Sequence, residues 1–373
     1  MSLQEGDTDR RAANRQLAQK EYREGRFVLH SRPRVLVVEL TRHCNLACPM
    51  CRLPGEVAPS ARMSERIFAR LESELFPTAD MIDLRGWGES LILPEFPDRA
   101  WRAARHGAAL RIVTNLSFQR PAILDLLAEL SFHVGVSIDS TDSATLSFLR
   151  GGARLALIEA NLARLASGLH KKGLGHQLTL YVTCQLPALP TIDTIVDLAA
   201  RHGIRDVRLA PVGTSLPFLS LAGARHEVDM ALERIRGRAE EHGVRVSMTA
   251  SLVEGLAPNT AVEACLHPWA WCYITYDGRL GFCDHLVGND GYLLGSLAEG
   301  SFDEIWNGAA WTKLRREHLS GRRASAPHFH ECAWCYRNRH VDSENVIEPS
   351  YDDKRAIVSG CRRDCNGLSV ARR

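Results

Sequence analysis

The chain reads as an α/β protein: a partial (β/α)6 barrel followed by a small, cysteine-rich β-hairpin domain. Three observations carry this reading. From Val35 to about Val212, short apolar runs alternate with amphipathic helical patterns, the signature of parallel βαβ units. Six such units are visible without a seventh or eighth, so the barrel is incomplete. From Cys265 the composition shifts, and seven of the 11 cysteines fall after that boundary, flanking a hairpin signal.

The elements follow in order. Residues 1–34 form an N-terminal helical arm. It is basic through Arg10, Arg11, Arg15, Lys20, Arg23 and Arg26, but Asp and Glu are interspersed, so the expectation is a solvated helix or mobile arm. It lacks the apolar stretch of a secretory signal. The core spans 35–212, with strands near 35–40, 81–85, 110–114, 133–138, 177–184 and 205–210. Helices are expected near 63–75, 97–106, 120–130, 141–168 and 190–203. A linker, 213–260, holds the loop Gly213 to Gly223, a charged helix from about Glu227 to His242, and a short strand from Val244 to Met248. The last domain is 261–373. Functional groups in such barrels gather at the C-terminal ends of strands.

Composition excludes several classes. Hydrophobic content of 45% and charged content of 24% describe an ordinary globular protein. A net charge of +2 gives bulk electrostatics no hold on nucleic acid or membranes. No apolar stretch approaches the roughly 18 residues of a transmembrane helix. Many cysteines without a secretory signal fit a reducing, cytoplasmic setting with metal sites.

The segment Glu39-Leu-Thr-Arg-His-Cys44-Asn-Leu-Ala-Cys48-Pro-Met-Cys51 has the spacing C-x3-C-x2-C, directly after the apolar run Val35 to Val38. Clustered thiolates favour zinc or iron–sulfur clusters. Spacing alone leaves zinc open, with the adjacent His43 as a fourth ligand. Here the sequence resembles the radical S-adenosylmethionine (SAM) superfamily, whose cores are partial, TIM-like (β/α)6 barrels. The resemblance implies that Cys44, Cys48 and Cys51 hold a 4Fe–4S cluster whose free iron chelates SAM, with a flavodoxin or ferredoxin type of reductant.

Arg85-Gly86-Trp87-Gly88-Glu89-Ser90 resembles the superfamily's GGE motif, with Trp87 replacing the first glycine. The resemblance makes Glu89 the acceptor for the SAM ammonium, and Gly88 permits close backbone approach. Thr114-Asn115 stands where the family has Thr-Asn-Gly, with Leu116 replacing the glycine. Ser137 and Asp139 match positions that face the SAM ribose or methionyl carboxylate, assisted by Arg150; otherwise they are strand-end polar groups or helix caps. Cys184, ending a strand, is either a hydrogen-atom donor in the reaction cavity or a small buried hydrophobe. Arg208 is a substrate ligand or a surface charge.

Cys265-Leu-His-Pro-Trp precedes Gly278 by 13 positions, and Cys283 follows that glycine by five. Asp277-Gly278 marks a hairpin. This resembles the opening of SPASM and twitch auxiliary-cluster domains, and Cys332, Cys335, Cys361 and Cys365 follow. Two ligand schemes stand open. In one, Cys265, Cys283, Cys332 and Cys335 hold a single auxiliary 4Fe–4S cluster. In the other, Cys265, Cys272, Cys283 and Cys365 hold a first cluster, and Cys332, Cys335 and Cys361 a second. Zinc at Cys332, Cys335, Cys361 and Cys365 is the alternative.

The resemblance implies an oxidoreductase. A 5′-deoxyadenosyl radical abstracts hydrogen from a hydroxyl-bearing carbon, and an auxiliary cluster accepts the electron that leaves a ketone. The 34 residues before the first strand are too few for a peptide-recognition domain, so the expected substrate is a small polar metabolite, such as an aminocyclitol or sugar of an antibiotic-like natural product. The alternatives are an epimerase using Cys184, a peptide or protein maturase, and, outside catalysis, an iron–sulfur electron carrier or zinc module.

Overall fold

The computed structural model describes residues 3–51, 58–249, 252–253, 265–283, 290–320, 332 and 356–358. One mixed sheet of 11 strands organises them. Its first six strands are β1 (Val35–Val38), β2 (Met81–Asp83), β3 (Ala109–Thr114), β4 (His133–Ser137), β5 (Leu178–Cys184) and β6 (Asp206–Pro211), paired in parallel in chain order. These are the six the sequence predicts. The sheet then extends at both ends. β7 (Arg245–Met248), expected within a linker, pairs in parallel with β6. β8 (Trp271–Ile274), in the cysteine-rich region, pairs in parallel with β1. β9 (Arg279–Gly281), β10 (Leu293–Ser296) and β11 (Ala356–Val358) finish the edges in antiparallel pairings.

Helices form where apolar residues recur at helical spacing. α1 (Leu3–Arg23) precedes the barrel. α2 (Glu65–Glu74), α3 (Phe96–Ala104), α4 (Pro121–Glu129), α5 (Ser143–Leu149), α6 (Leu155–Lys171), α7 (Thr194–Arg201) and α8 (Arg225–His242) cross between strands. α9 (His267–Ala270), α10 (Phe302–Trp306) and α11 (Ala309–Leu319) belong to the C-terminal region. On α6 the buried stripe is Ile158, Leu162, Leu165, Ala166 and Leu169. The single helix expected over 141–168 is two, α5 and α6. Gly151 and Gly152 both adopt positive φ, 49° and 91°, and stop the first helix at Leu149.

Alternation along the strands separates two faces. Register puts Val37, Asp83, Arg111 and His133 on one face, joined by Ser137, Tyr181, Arg208 and Ser247. The other face carries Leu36, Ile82, Ile112, Val136, Val182 and Leu209, which form one apolar core with the buried helix residues. Right-handed crossovers place the helices on one side. The polar face therefore lines the barrel interior.

α1 is a helix exposed along one face and docked by the other. It lies across the N-terminal ends of β1 to β3, with Asp7, Arg11, Asn14 and Glu21 buried. Asn14 Nδ2 donates to the carbonyls of Arg32 and Thr78, and Glu21 accepts from the backbone of His30 and Ser31. Arg10, Lys20 and Arg23 stay exposed as expected, while Arg11, Asn14 and Glu21 bond to backbone at the barrel floor. The C-terminal helices fasten the same segment from the other side, where Trp269 Nε1 donates to the Arg26 carbonyl and Trp306 Nε1 to that of Ser31.

Candidate active site

The loop after β1 carries Cys44, Cys48 and Cys51, the first two partly exposed and the third exposed. Burial raises the pKa of Cys44, and that of Cys48 to about 11. Arg150 pulls Cys48 back down, while neighbouring thiols push both up. Among the described residues no three His, Cys, Asp or Glu side chains are yet gathered closely enough to hold a single metal ion, so the thiols share the loop without converging on one point. Bound metal deprotonates thiols of this kind.

Two backbone segments press on this loop. Gly88 and Glu89 donate their amides to the carbonyls of Thr41 and His43, at 3.2 and 3.0 Å. A Cβ on residue 88 would lie 2.3 Å from the His43 oxygen, so only glycine fits. Gly151 approaches from the α5–α6 break, where a Cβ would lie 2.2 Å from the Ala47 carbonyl carbon.

Glu89 is buried and collects three donors. Thr114 Oγ1 and the Leu91 amide donate to Oε1 at 2.9 and 3.3 Å, and the Asn115 amide donates to Oε2 at 2.8 Å. Burial nevertheless raises its pKa to about 7. Among the described residues no cationic side chain pairs with it. A buried carboxylate without a counter-cation keeps a desolvation cost that its three donors only partly offset.

Asn115 stands beside the cysteine loop, its Nδ2 donating to Asn45 Oδ1 at 3.1 Å and lying 3.7 Å from Cys44 Sγ. Leu116, where the family motif has glycine, takes φ 49° and is fully buried. Asn161 Nδ2 holds that turn by donating to the carbonyls of Leu116 and Phe118. Asp139 is fully buried and takes a two-pronged ion pair from Arg150, Nε to Oδ2 at 2.6 Å and Nη2 to Oδ1 at 2.7 Å. The Thr183 amide and Gln185 Nε2 complete its shell. Ser137 is half-buried at the end of β4.

The structure brings Gly88, Glu89, Asn115, Asp139 and Arg150 to the cysteine loop. Cys184 is different. It is fully buried and shares the parity of Leu180 and Val182, on the helix-covered face. Of the two readings left open for Cys184, its burial and parity fit the small buried hydrophobe, because the strand-end argument holds only for residues of the other parity. Arg208 has the interior parity, is buried instead of a surface charge, and donates to the Tyr181 hydroxyl at 3.0 Å. Asn45, Gly151, Gln185 and Tyr181 were not singled out from sequence. The Gly151-Gly152 pair was the one available signal among them.

In the C-terminal region, Cys265 and Cys283 are half-buried, and Cys332 is buried. Cys335, Cys361 and Cys365 lie outside the described residues. Cys272 pairs in register with Leu36, on the helix-covered face, and is fully buried. Burial raises its pKa, and the nearby Arg315 opposes this. β8 and β9 pair Tyr273 with Gly281. The same alternation, continued two residues, gives Cys283 the parity of Trp271 and Tyr273, opposite to Cys272.

Residues 265–336 match the SPASM family, an iron-sulfur cluster-binding domain. The mycofactocin maturase MftC of Mycobacterium tuberculosis is 26% identical over 317 residues, covering 80% of this chain and 77% of that protein. The AdoMet-dependent heme synthase of Methanosarcina barkeri is 25% identical over 350 residues, covering 85% and 95%. This chain belongs to the radical SAM superfamily and carries a SPASM domain. Its fold agrees with Streptococcus suis SuiB, solved bound to precursor peptide SuiA, at TM-score 0.61 and 16% identity over 81% of this chain and 71% of that one. SuiB is also solved bound to S-adenosylmethionine. The cofactors of this radical SAM enzyme are SAM and 4Fe–4S clusters, with auxiliary clusters in the SPASM domain. Among the described residues no helix is long and apolar enough to cross a membrane.

Proposed function

We propose that this radical SAM enzyme is a maturase, modifying an unactivated carbon in a peptide-derived substrate. The observation that carries the radical chemistry is Glu89, a buried carboxylate with three donors and no cation, clamped against the cysteine loop. When bound, the cluster and SAM supply a 5′-deoxyadenosyl radical that abstracts hydrogen from substrate. Cys44, Cys48 and Cys51 hold the cluster. Glu89 accepts from the SAM ammonium, and Asn115 orients the Cys44 side of the loop. Asp139, fixed by Arg150, offers its polar shell to the remaining cofactor groups, with Ser137 beside it. Tyr181 and Arg208, on the interior face, meet the polar part of the substrate. Cys265, Cys283, Cys332 and Cys335 hold an auxiliary cluster. A reductant of the flavodoxin or ferredoxin type supplies the electron.

The substrate class follows the likeness to a mycofactocin maturase and to the fold of SuiB with its bound precursor peptide. A small-molecule oxidoreductase is the second reading, favoured by the likeness to a heme synthase along 95% of that protein. Anaerobic turnover with each substrate class separates them. The first reading expects a short peptide encoded beside the gene to stimulate 5′-deoxyadenosine formation and change mass. Stimulation by hydroxylated small metabolites alone would support the second and overturn the first.

A further inference from the structure

Glu39 stands between β1 and the cysteine loop, and it is fully buried. Its carboxylate is shared among three separate segments. Oε1 accepts from Arg42 Nε at 3.1 Å and from the Tyr276 amide at 3.4 Å. Oε2 accepts from the Tyr273 hydroxyl at 2.5 Å and from the Trp87 amide at 3.4 Å. Arg42 belongs to the cysteine loop and Trp87 to the turn that ends in Glu89. Tyr273 and Tyr276 belong to the SPASM hairpin. The Glu39 stem also fills the space beside that turn: a Cβ on residue 86 would lie 2.3 Å from Glu39 Cγ.

The arrangement has a mechanical consequence. A carboxylate cut off from water depends on its protein donors, and without the Tyr273 hydroxyl Oε2 keeps only the longer bond from the Trp87 amide. The side chain then shifts toward the donors that remain. The Trp87 amide follows, and Glu89 lies two residues along the same tight turn. We propose that Glu39 is a positioning residue for S-adenosylmethionine, through which the Tyr273 hydroxyl of the SPASM hairpin sets the Gly88–Glu89 turn. The proposal rests on the reading of Glu89 as the acceptor for the SAM ammonium. A residue more than 200 positions downstream thereby tunes cofactor binding at the first cysteine loop without touching the cofactor.

The test is anaerobic titration of SAM into the iron-loaded full chain, with iron content and the electron paramagnetic resonance of the reduced cluster recorded beside it. Wild type is compared with Tyr273→Phe, Glu39→Gln, the double variant and Glu89→Gln. Tyr273→Phe and Glu39→Gln are expected to keep their iron, bind SAM about tenfold more weakly, and show a smaller SAM-induced spectral change. The double variant should bind no more weakly than Glu39→Gln, because both changes cut the same path. If Glu39→Gln does not load iron, Tyr273→Phe decides alone. Wild-type affinity in Tyr273→Phe, with Glu89→Gln weakened, overturns the positioning role and leaves Glu89 as the acceptor. Wild-type affinity in Glu89→Gln overturns the underlying reading, and the proposal with it.

Discussion

Glu89 pairs a cost with a use. Burial raises its pKa from 4.5 to about 7, against the pull of its hydrogen bonds to Asn115, Thr114 and Leu91. A folded-state pKa above the unfolded one means the folded protein without cofactor binds the extra proton between those values. Its stability therefore falls as pH rises from about 4.5 to about 7, a contribution on the order of 3 kcal/mol. SAM binding runs the other way, because the ammonium needs the ionised form. Calorimetry at about pH 6 and about pH 8 should show tighter SAM binding at the higher value. In Glu89→Gln that pH effect is expected to vanish and affinity to fall about tenfold or more. An unchanged pH profile in the variant would remove Glu89 from the cofactor site. The motif around Glu89 was readable because glycine, acid and spacing all follow a strand. The support from Gln185 and Asn45 was not, since residues distant in sequence meet only through the fold.

The break between α5 and α6 illustrates what periodicity cannot reveal. Apolar residues keep helical spacing across 141–168, so the pattern reads as one helix, yet the chain turns at Arg150-Gly151-Gly152 and drives Gly151 onto Ala47 of the cysteine loop. The two glycines differ in what surrounds them. A Cβ at 151 meets the Ala47 backbone at 2.2 Å, whereas a Cβ at 152 meets nothing within 4 Å. Gly151→Ala should therefore distort the loop and lower the iron retained after reconstitution. Gly152→Ala should keep its iron and lose only about 1–2 kcal/mol of stability from its left-handed backbone. Full iron loading in Gly151→Ala would show that the contact does not shape the cluster site. Parity along a strand decides two further residues. Cys184 and Cys272 both drew attention as cysteines, but each takes the helix-covered side of its strand. Strand ends and cysteine spacing are visible in a sequence. Which side of a strand faces the barrel becomes visible only once register is known.

Across the whole molecule, the two cysteine regions share one sheet. β8 of the SPASM region pairs with β1, which leads into the first cysteine loop, so the auxiliary domain continues the barrel wall. The six core strands and their crossovers were readable from alternating patterns. The strand at Val244 to Met248 was readable too, but its pairing with β6 and the docking of α1 were not, because each depends on partners far along the chain. Placing Cys272 on the outer face sorts the auxiliary ligands. Reconstituted Cys272→Ala is expected to hold as much iron as wild type, and Cys283→Ala clearly less. Equal iron loss in both would return Cys272 to the ligand set. The central claim is that the loop of Cys44, Cys48 and Cys51, braced by Gly88-Glu89 and Gly151, generates a radical from SAM. The most direct measurement is 5′-deoxyadenosine formed by the reduced, iron-loaded chain with SAM, beside Cys48→Ala prepared in the same way. The account predicts product from wild type and none from the variant. An iron-loaded wild type that leaves SAM intact, or a Cys48→Ala protein that still cleaves it, would contradict it.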